Sequence, residues 1–212
     1  MTLPPPPPHP PPSHPEEGKL TEREVLDNVF AFMVAGLTTT QHTMEHIAVQ
    51  LALHPDVQTK LREEIVAVTG AKAEPFELDK LGEMPYLSSV IKEVMRLYPS
   101  VVGVPPRMLT EDVEIGGVRI PAGSNVNTSS MLGQRLSINF GEDARKFRPE
   151  RFLDHFSSST GKSSAEKGKR RGHGKDHGDN SLGYSFTTFG AGVRPCIGRH
   201  LSLLEIKVGH VV

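Results

Sequence analysis

FGAGVRPCIG, residues 189 to 198, holds the single cysteine of a 212-residue chain. Cys196 sits among three glycines, Gly190, Gly192 and Gly198, with Arg194 two residues before it and Phe189 at the head of the stretch. The spacing that follows, Ile197, Leu201, Leu204 and Val208, predicts a helix beginning beside the thiol. A thiol at a helix N-terminus meets unsatisfied backbone N–H groups and the positive end of the helix dipole, and both favour the thiolate. Arg194 adds positive charge. The glycines remove side chains that would keep a large flat object from the sulfur, and Phe189 offers an aromatic wall. A lone cysteine is more often a small buried hydrophobe. Here the density of the surroundings points instead to a thiolate presented to a planar group.

Composition narrows the classes. Hydrophobic residues make up 36% of the chain, enough for a core but not a generous one. With 24 basic and 25 acidic residues the net charge is −1, so nothing draws the chain toward nucleic acid, and no nucleic-acid partner is expected. One cysteine excludes an internal disulfide and fits a reducing, intracellular setting. The longest apolar stretch, Val29 to Leu37, is nine residues, whereas a membrane span needs about 20. No signal peptide or anchor is visible.

Outward from the cysteine, the chain is mostly helical in pattern. Residues 1–18 carry nine of the eighteen prolines within their first fifteen positions and read as a disordered, polyproline-type tail. Thr21 and Glu24 form a capping box that opens a long helix through Val25, Val29, Met33, Leu37, Ile47 and Leu51 to a stop at His54-Pro55. A second helix runs from near Pro55 to Gly70, and a third lies between Pro85 and Pro99. VEIGGVRIPAG then reads as a β-hairpin about Gly116-Gly117. Residues 157–181 hold no apolar side chain larger than Ala165 and form a disordered basic insertion. The class is mainly α (α+β), with a small β-hairpin element.

FGAGVRPCIG matches F-x-x-G-x-R-x-C-x-G, and on that ground the chain resembles the cytochrome P-450 family of haem-thiolate monooxygenases. The resemblance implies haem b (iron protoporphyrin IX) with Cys196 as axial thiolate and metal ligand. It implies that Arg194 pairs with a propionate and that Phe189, Gly190, Gly192 and Gly198 form the cofactor's bed. Thiolate ligation pushes electron density toward iron and favours O–O cleavage, a task histidine performs less well. Glu93 and Arg96, three apart on the third helix, resemble the family's E-x-x-R motif. Taken alone, such a pair is usually a surface ion pair of little worth. FRPERF, residues 147–152, resembles the P-E-R-F segment and adds Arg151 to a charged triad whose implied role is structural. Arg107 in PPR matches a second propionate-binding arginine. AGLTTT, residues 35–40, resembles the oxygen-binding stretch: Ala35 and Gly36 admit the cofactor edge, and Thr39 matches the catalytic threonine that relays protons. Thr38 stands where an acid is usual, and a hydroxyl barely ionises at neutral pH.

The resemblance covers residues 19–212 as a partial haem-thiolate catalytic domain, the C-terminal half of a family member. It implies an oxidoreductase that inserts one oxygen atom of O2 into an apolar small-molecule substrate with electrons from a reductase. Full-length relatives are expected at the endoplasmic reticulum surface. Phe30, Phe32, Val102 and Val104 are the apolar side chains present for a pocket. Two rival readings stand beside it. One is a truncated remnant that binds no haem. The other is a zinc site, for which His173-x-x-x-His177 and Cys196-x-x-x-His200 have ligand-like spacings.

Overall fold

The computed structural model describes residues 19–70, 77–103, 105–153 and 185–211. The proline-rich tail of residues 1–18 and the basic insertion of residues 157–181 lie outside them, as do Val104, His173 and His177. The chain divides into two units, Met1–Thr38 and Thr39–Val212. Helix α1 (Glu22–Leu53) runs 32 residues across that division and continues unbroken through Gly36.

In the first unit the expected capping box is present. The Glu24 N–H donates to Thr21 Oγ1 at 3.2 Å, and Glu24 Oε2 accepts the Thr21 N–H at 2.7 Å. These two backbone donors have no intrahelical partner, so the reciprocal pair starts the helix cleanly. Val25, Leu26, Val29, Phe30, Phe32, Met33, Val34 and Leu37 are all exposed here, between 45% and 70%.

The second unit is built round α3 (Pro85–Leu97), in which ten of thirteen residues are buried. Leu87, Val90, Ile91, Val94 and Met95 meet Ile47 of α1, Val57 and Leu61 of α2 (Pro55–Thr69), Leu81 of a short 3-10 turn (Leu78–Glu83), and Ile206 of the last helix. Buried positions Thr40, Thr43, Ile47 and Gln50 recur at three and four residues, which gives the second half of α1 one inward stripe. Met84, ahead of α3, offers no capping side chain. Glu64 of α2 fills that role across the interface: its two carboxylate oxygens accept the Tyr86 and Leu87 N–H groups at 2.7 and 2.8 Å.

Beyond α3 come four short strands. β2 (Val113–Ile115) and β3 (Val118–Ile120) pair antiparallel as the sequence predicts, with φ +60° at Gly116 and +80° at Gly117, the combination that two-residue hairpins need. Asp112 brackets this hairpin by accepting from Arg119 and from the Ala122 N–H, the latter at 2.8 Å. The backbone bond to Ala122, then Arg119, holds its carboxyl below the usual range. β1 (Arg107–Met108) pairs with β4 (Asn125–Val126), a ladder that sequence periodicity does not reveal because each strand has two residues. Helices α4 (Ser130–Gly133), α5 (Ser137–Phe140) and α6 (Arg199–Val211) follow. α6 starts three residues after Cys196, so Ile197 belongs to the preceding turn and not to the helix.

Candidate functional site

Glu93 and Arg96 are fully buried and Arg151 is 5% exposed, so the triad that the motif resemblance implies is part of the core, where an isolated pair of this spacing would ordinarily lie at the surface. Arg96 grips Glu93 with two bonds, Nε to Oε2 at 2.7 Å and Nη2 to Oε1 at 2.8 Å. Arg151 Nε donates to Glu93 Oε1 at 3.0 Å, and the Arg148 N–H donates to the same oxygen at 2.8 Å. The remaining guanidinium N–H groups find main-chain carbonyls: Arg96 reaches Gln134 and Ala144 at 2.7 and 2.5 Å, and Arg151 reaches Phe140 and Asp143 at 3.2 and 3.1 Å. Satisfaction on this scale is what makes buried charge tolerable.

Asp143 is a further acid in the centre that the motif reading does not contain. It accepts from Arg151 Nη1 at 3.1 Å and from Arg148 Nε at 2.7 Å. The Arg151 bond above all, then Arg148, holds its carboxyl below the ordinary value against the opposing effect of burial. Burial alone would lower the Arg151 guanidinium; Glu93 and then Asp143 outweigh it and raise it. Glu150, the neighbour of Arg151, ties the same segment to α2 through Lys60 at 2.8 Å and to α3 through the Tyr86 hydroxyl at 3.1 Å. Burial and the Glu150 charge together push Tyr86 up.

From this centre one side chain leads to the cysteine loop. Gln134, fully buried, donates from Nε2 to the carbonyls of Arg96 at 3.2 Å and Met95 at 3.4 Å. Its Oε1 accepts the Thr187 N–H at 3.0 Å and the Thr188 hydroxyl at 3.1 Å. Thr187 also hydrogen-bonds Ser130 at 3.1 Å, while Phe186 and Phe189 pack against the core. The loop then turns at Gly190 (φ +73°) and Gly192 (φ +79°), backbone angles that side chains disfavour. The Cys196 N–H donates to the Phe189 carbonyl at 2.8 Å, closing the turn. Arg199 lies over the Phe189 ring at 5.8 Å.

Cys196 emerges as a free, exposed thiol ahead of α6. Arg194, two residues before it, is exposed, and so are its apolar sequence neighbours Val193 (91%) and Ile197 (85%), side chains of a kind that is seldom so exposed. Gly198 lies close enough that a methyl there would touch Cys196 Sγ at 3.9 Å. A soft sulfur donor, apolar neighbours, side-chain-free approach and exposed arginines are the chemistry a haem with two carboxylates requires. The residues present fit that group.

The remaining candidates lie elsewhere in the chain. Arg107 is exposed in β1, at the end of the segment that follows α3. The Thr39 carbonyl accepts from Ser100 Oγ at 2.9 Å and from Thr43 Oγ1 at 3.0 Å, which anchors the Thr39 turn to the start of that segment. Val102 lines an open, mainly apolar cleft of about 530 Å³ with Val101, Pro105, Pro106 and Ser129. Ala35, Gly36, Phe30 and Phe32 belong to the first unit and are exposed; there the Thr38 hydroxyl donates to the Val34 carbonyl at 2.9 Å. Among the described residues no group of three or more His, Cys, Asp or Glu could hold a metal ion. No described helix is long and apolar enough to cross a membrane.

A family profile for cytochrome P450 matches residues 12–211. The chain belongs to the cytochrome P450 family. It is 33% identical over 193 residues to cytochrome P450 734A5 of Oryza sativa subsp. japonica, covering 91% of this chain and 32% of that protein. It is 34% identical over 192 residues to cytochrome P450 3A29 of Sus scrofa, covering 91% and 33%, and 30% identical over 194 residues to secologanin synthase 2 of Catharanthus roseus, covering 92% and 32%. The chain therefore spans about a third of the length of these curated relatives. P450 proteins form a haem-thiolate monooxygenase family whose cofactor is haem b with a cysteine thiolate as axial ligand.

Proposed function

We propose that this chain is the haem-binding portion of a P450 monooxygenase that inserts one oxygen atom of O2 into an apolar organic substrate, with electrons from a separate reductase. The observation that carries this reading is the exposed Cys196 thiol, set in a glycine-built turn and tied through Gln134 to a buried charge centre. Bound haem b supplies reductive activation of O2, with the thiolate pushing electron density toward the metal.

The chain's own residues do the rest. Cys196 would hold the metal, and Gly190, Gly192 and Gly198, with Phe189 beside them, would leave room for the ring at the loop. Arg194 and Arg107 would hold the two propionates, as planar guanidinium groups suit carboxylates. Thr39 would move a proton at its Oγ1. Thr38 cannot store a proton as an acid would, because a hydroxyl barely ionises near neutral pH. The apolar cleft beside Val101 and Val102 favours an apolar substrate.

The test is the absorption of reduced, carbon monoxide-treated protein prepared with haem. Wild type is expected to show the long-wavelength band of thiolate ligation, and Cys196→Ala to lack it. Colourless protein after haem supplementation contradicts the reading and favours a remnant that binds no haem. A band unaltered by Cys196→Ala contradicts the ligand assignment.

A further inference from the structure

Gln134 is joined to both the buried charge centre and the cysteine loop, and its amide is used up in doing so. A primary amide offers two N–H donors and one oxygen with two lone pairs. Here two carbonyls of α3, those of Met95 and Arg96, face the nitrogen, and two donors of the loop, the Thr187 N–H and Thr188 Oγ1, face the oxygen. The amide cannot be turned over without setting carbonyl against carbonyl and donor against donor, so its direction is fixed by its partners. Its main chain belongs to the same centre: the Gln134 carbonyl accepts from Arg96 Nη1 at 2.7 Å. A shift of Arg96 therefore moves Gln134 at two points, and Gln134 moves the loop at two more. The side chain is fully buried, so water cannot replace a lost bond.

We propose that Gln134 is the positioning residue that transmits the geometry of the Glu93–Arg96–Arg151 centre to the cysteine loop, setting where Cys196 is held. The inference rests on the haem-thiolate reading for its consequence at the metal, and on hydrogen bonding alone for its effect on the loop. Between Thr187 and Cys196 the chain turns at Gly190 and Gly192, which carry no side chain to lock the turn once the root of the loop is released. Phe186 and Phe189 fix the depth of that root by packing, but packing carries no directional bonds; the amide, with two bonds to the loop beside the single Thr187–Ser130 hydroxyl bond, supplies most of the direction.

Two readouts test this in the full chain. The first is amide hydrogen exchange, which needs no haem. In Gln134→Leu, exchange at the Thr187, Gly190 and Cys196 amides should accelerate at least tenfold relative to α3 amides such as Val94 and Leu97, because local opening frees the loop while the helix stays closed. Thr188→Val, which removes one bond and leaves the core intact, should give the same pattern at a smaller amplitude. It decides the matter if Gln134→Leu does not fold. Uniform acceleration across α3 and the loop in both variants identifies mere destabilisation and overturns the proposal, as does an unchanged loop. The second readout is the reduced, carbon monoxide-treated spectrum of haem-loaded protein. Thr188→Val is expected to convert part of the thiolate band to the short-wavelength form, and an identical spectrum alongside a loosened loop overturns the claim about Cys196. Absence of the band in wild type would sink the haem reading, while the exchange experiment would still decide the role of Gln134.

Discussion

Glu93 is the residue whose neighbours explain most about this chain. Its carboxylate accepts from Arg96, Arg151 and the Arg148 N–H, with no exposure to water. Replacing Arg151 by Leu removes one partner and leaves the charge short of compensation. The expected loss is about 3–5 kcal/mol, measured as a drop in the urea midpoint. Asp143 gives a pH signature. Its carboxyl lies below the ordinary value because of Arg151 and Arg148. A depressed carboxyl contributes stability above its unfolded value of about 3.9 and loses it as pH falls through the lower folded value. Asp143→Asn should therefore be less stable than wild type near neutrality, and the two should converge in strong acid, as followed by urea titration at each pH. E-x-x-R spacing makes the pair visible in the sequence, and resemblance adds Arg151. Asp143 and Gln134 are not legible there, because their partners, the Arg148 and Arg151 guanidinium groups for one and mostly main-chain groups for the other, are brought to them by loops, and no spacing rule encodes those contacts.

At the scale of elements, α3 and the cysteine loop depend on bonds from outside themselves. α3 begins at a proline without a capping side chain, and Glu64 of α2 supplies both acceptors. Glu64→Ala should cost about 1–2 kcal/mol, read from thermal or urea unfolding, and Glu64→Gln should recover part of it. The helices themselves are readable from Thr21-x-x-Glu24, Pro55, Pro85 and the apolar periodicity, and the hairpin from Gly116-Gly117. The β1–β4 ladder is not, since two residues per strand carry no period. Apolar spacing starts the last helix too early, at Ile197, because it continues through the turn, while the first helical residue is Arg199.

At the scale of the whole molecule, the first unit carries an apolar surface that runs round much of its helix, from Val25 to Leu37. A helix apolar on most sides is the pattern of a buried helix. Exposed surface of this kind binds hydrophobic dyes and promotes association. The double substitution Phe30→Glu, Met33→Glu should lower ANS fluorescence and concentration-dependent scattering, with little change in the unfolding midpoint of the second unit.

The central claim is that the sulfur of Cys196 binds iron. Iron-edge X-ray absorption on haem-loaded protein measures this directly: the account predicts one sulfur scatterer in the iron shell of wild type and none in Cys196→Ser. A wild-type shell of nitrogen and oxygen alone, or a sulfur signal that survives the substitution, would contradict it.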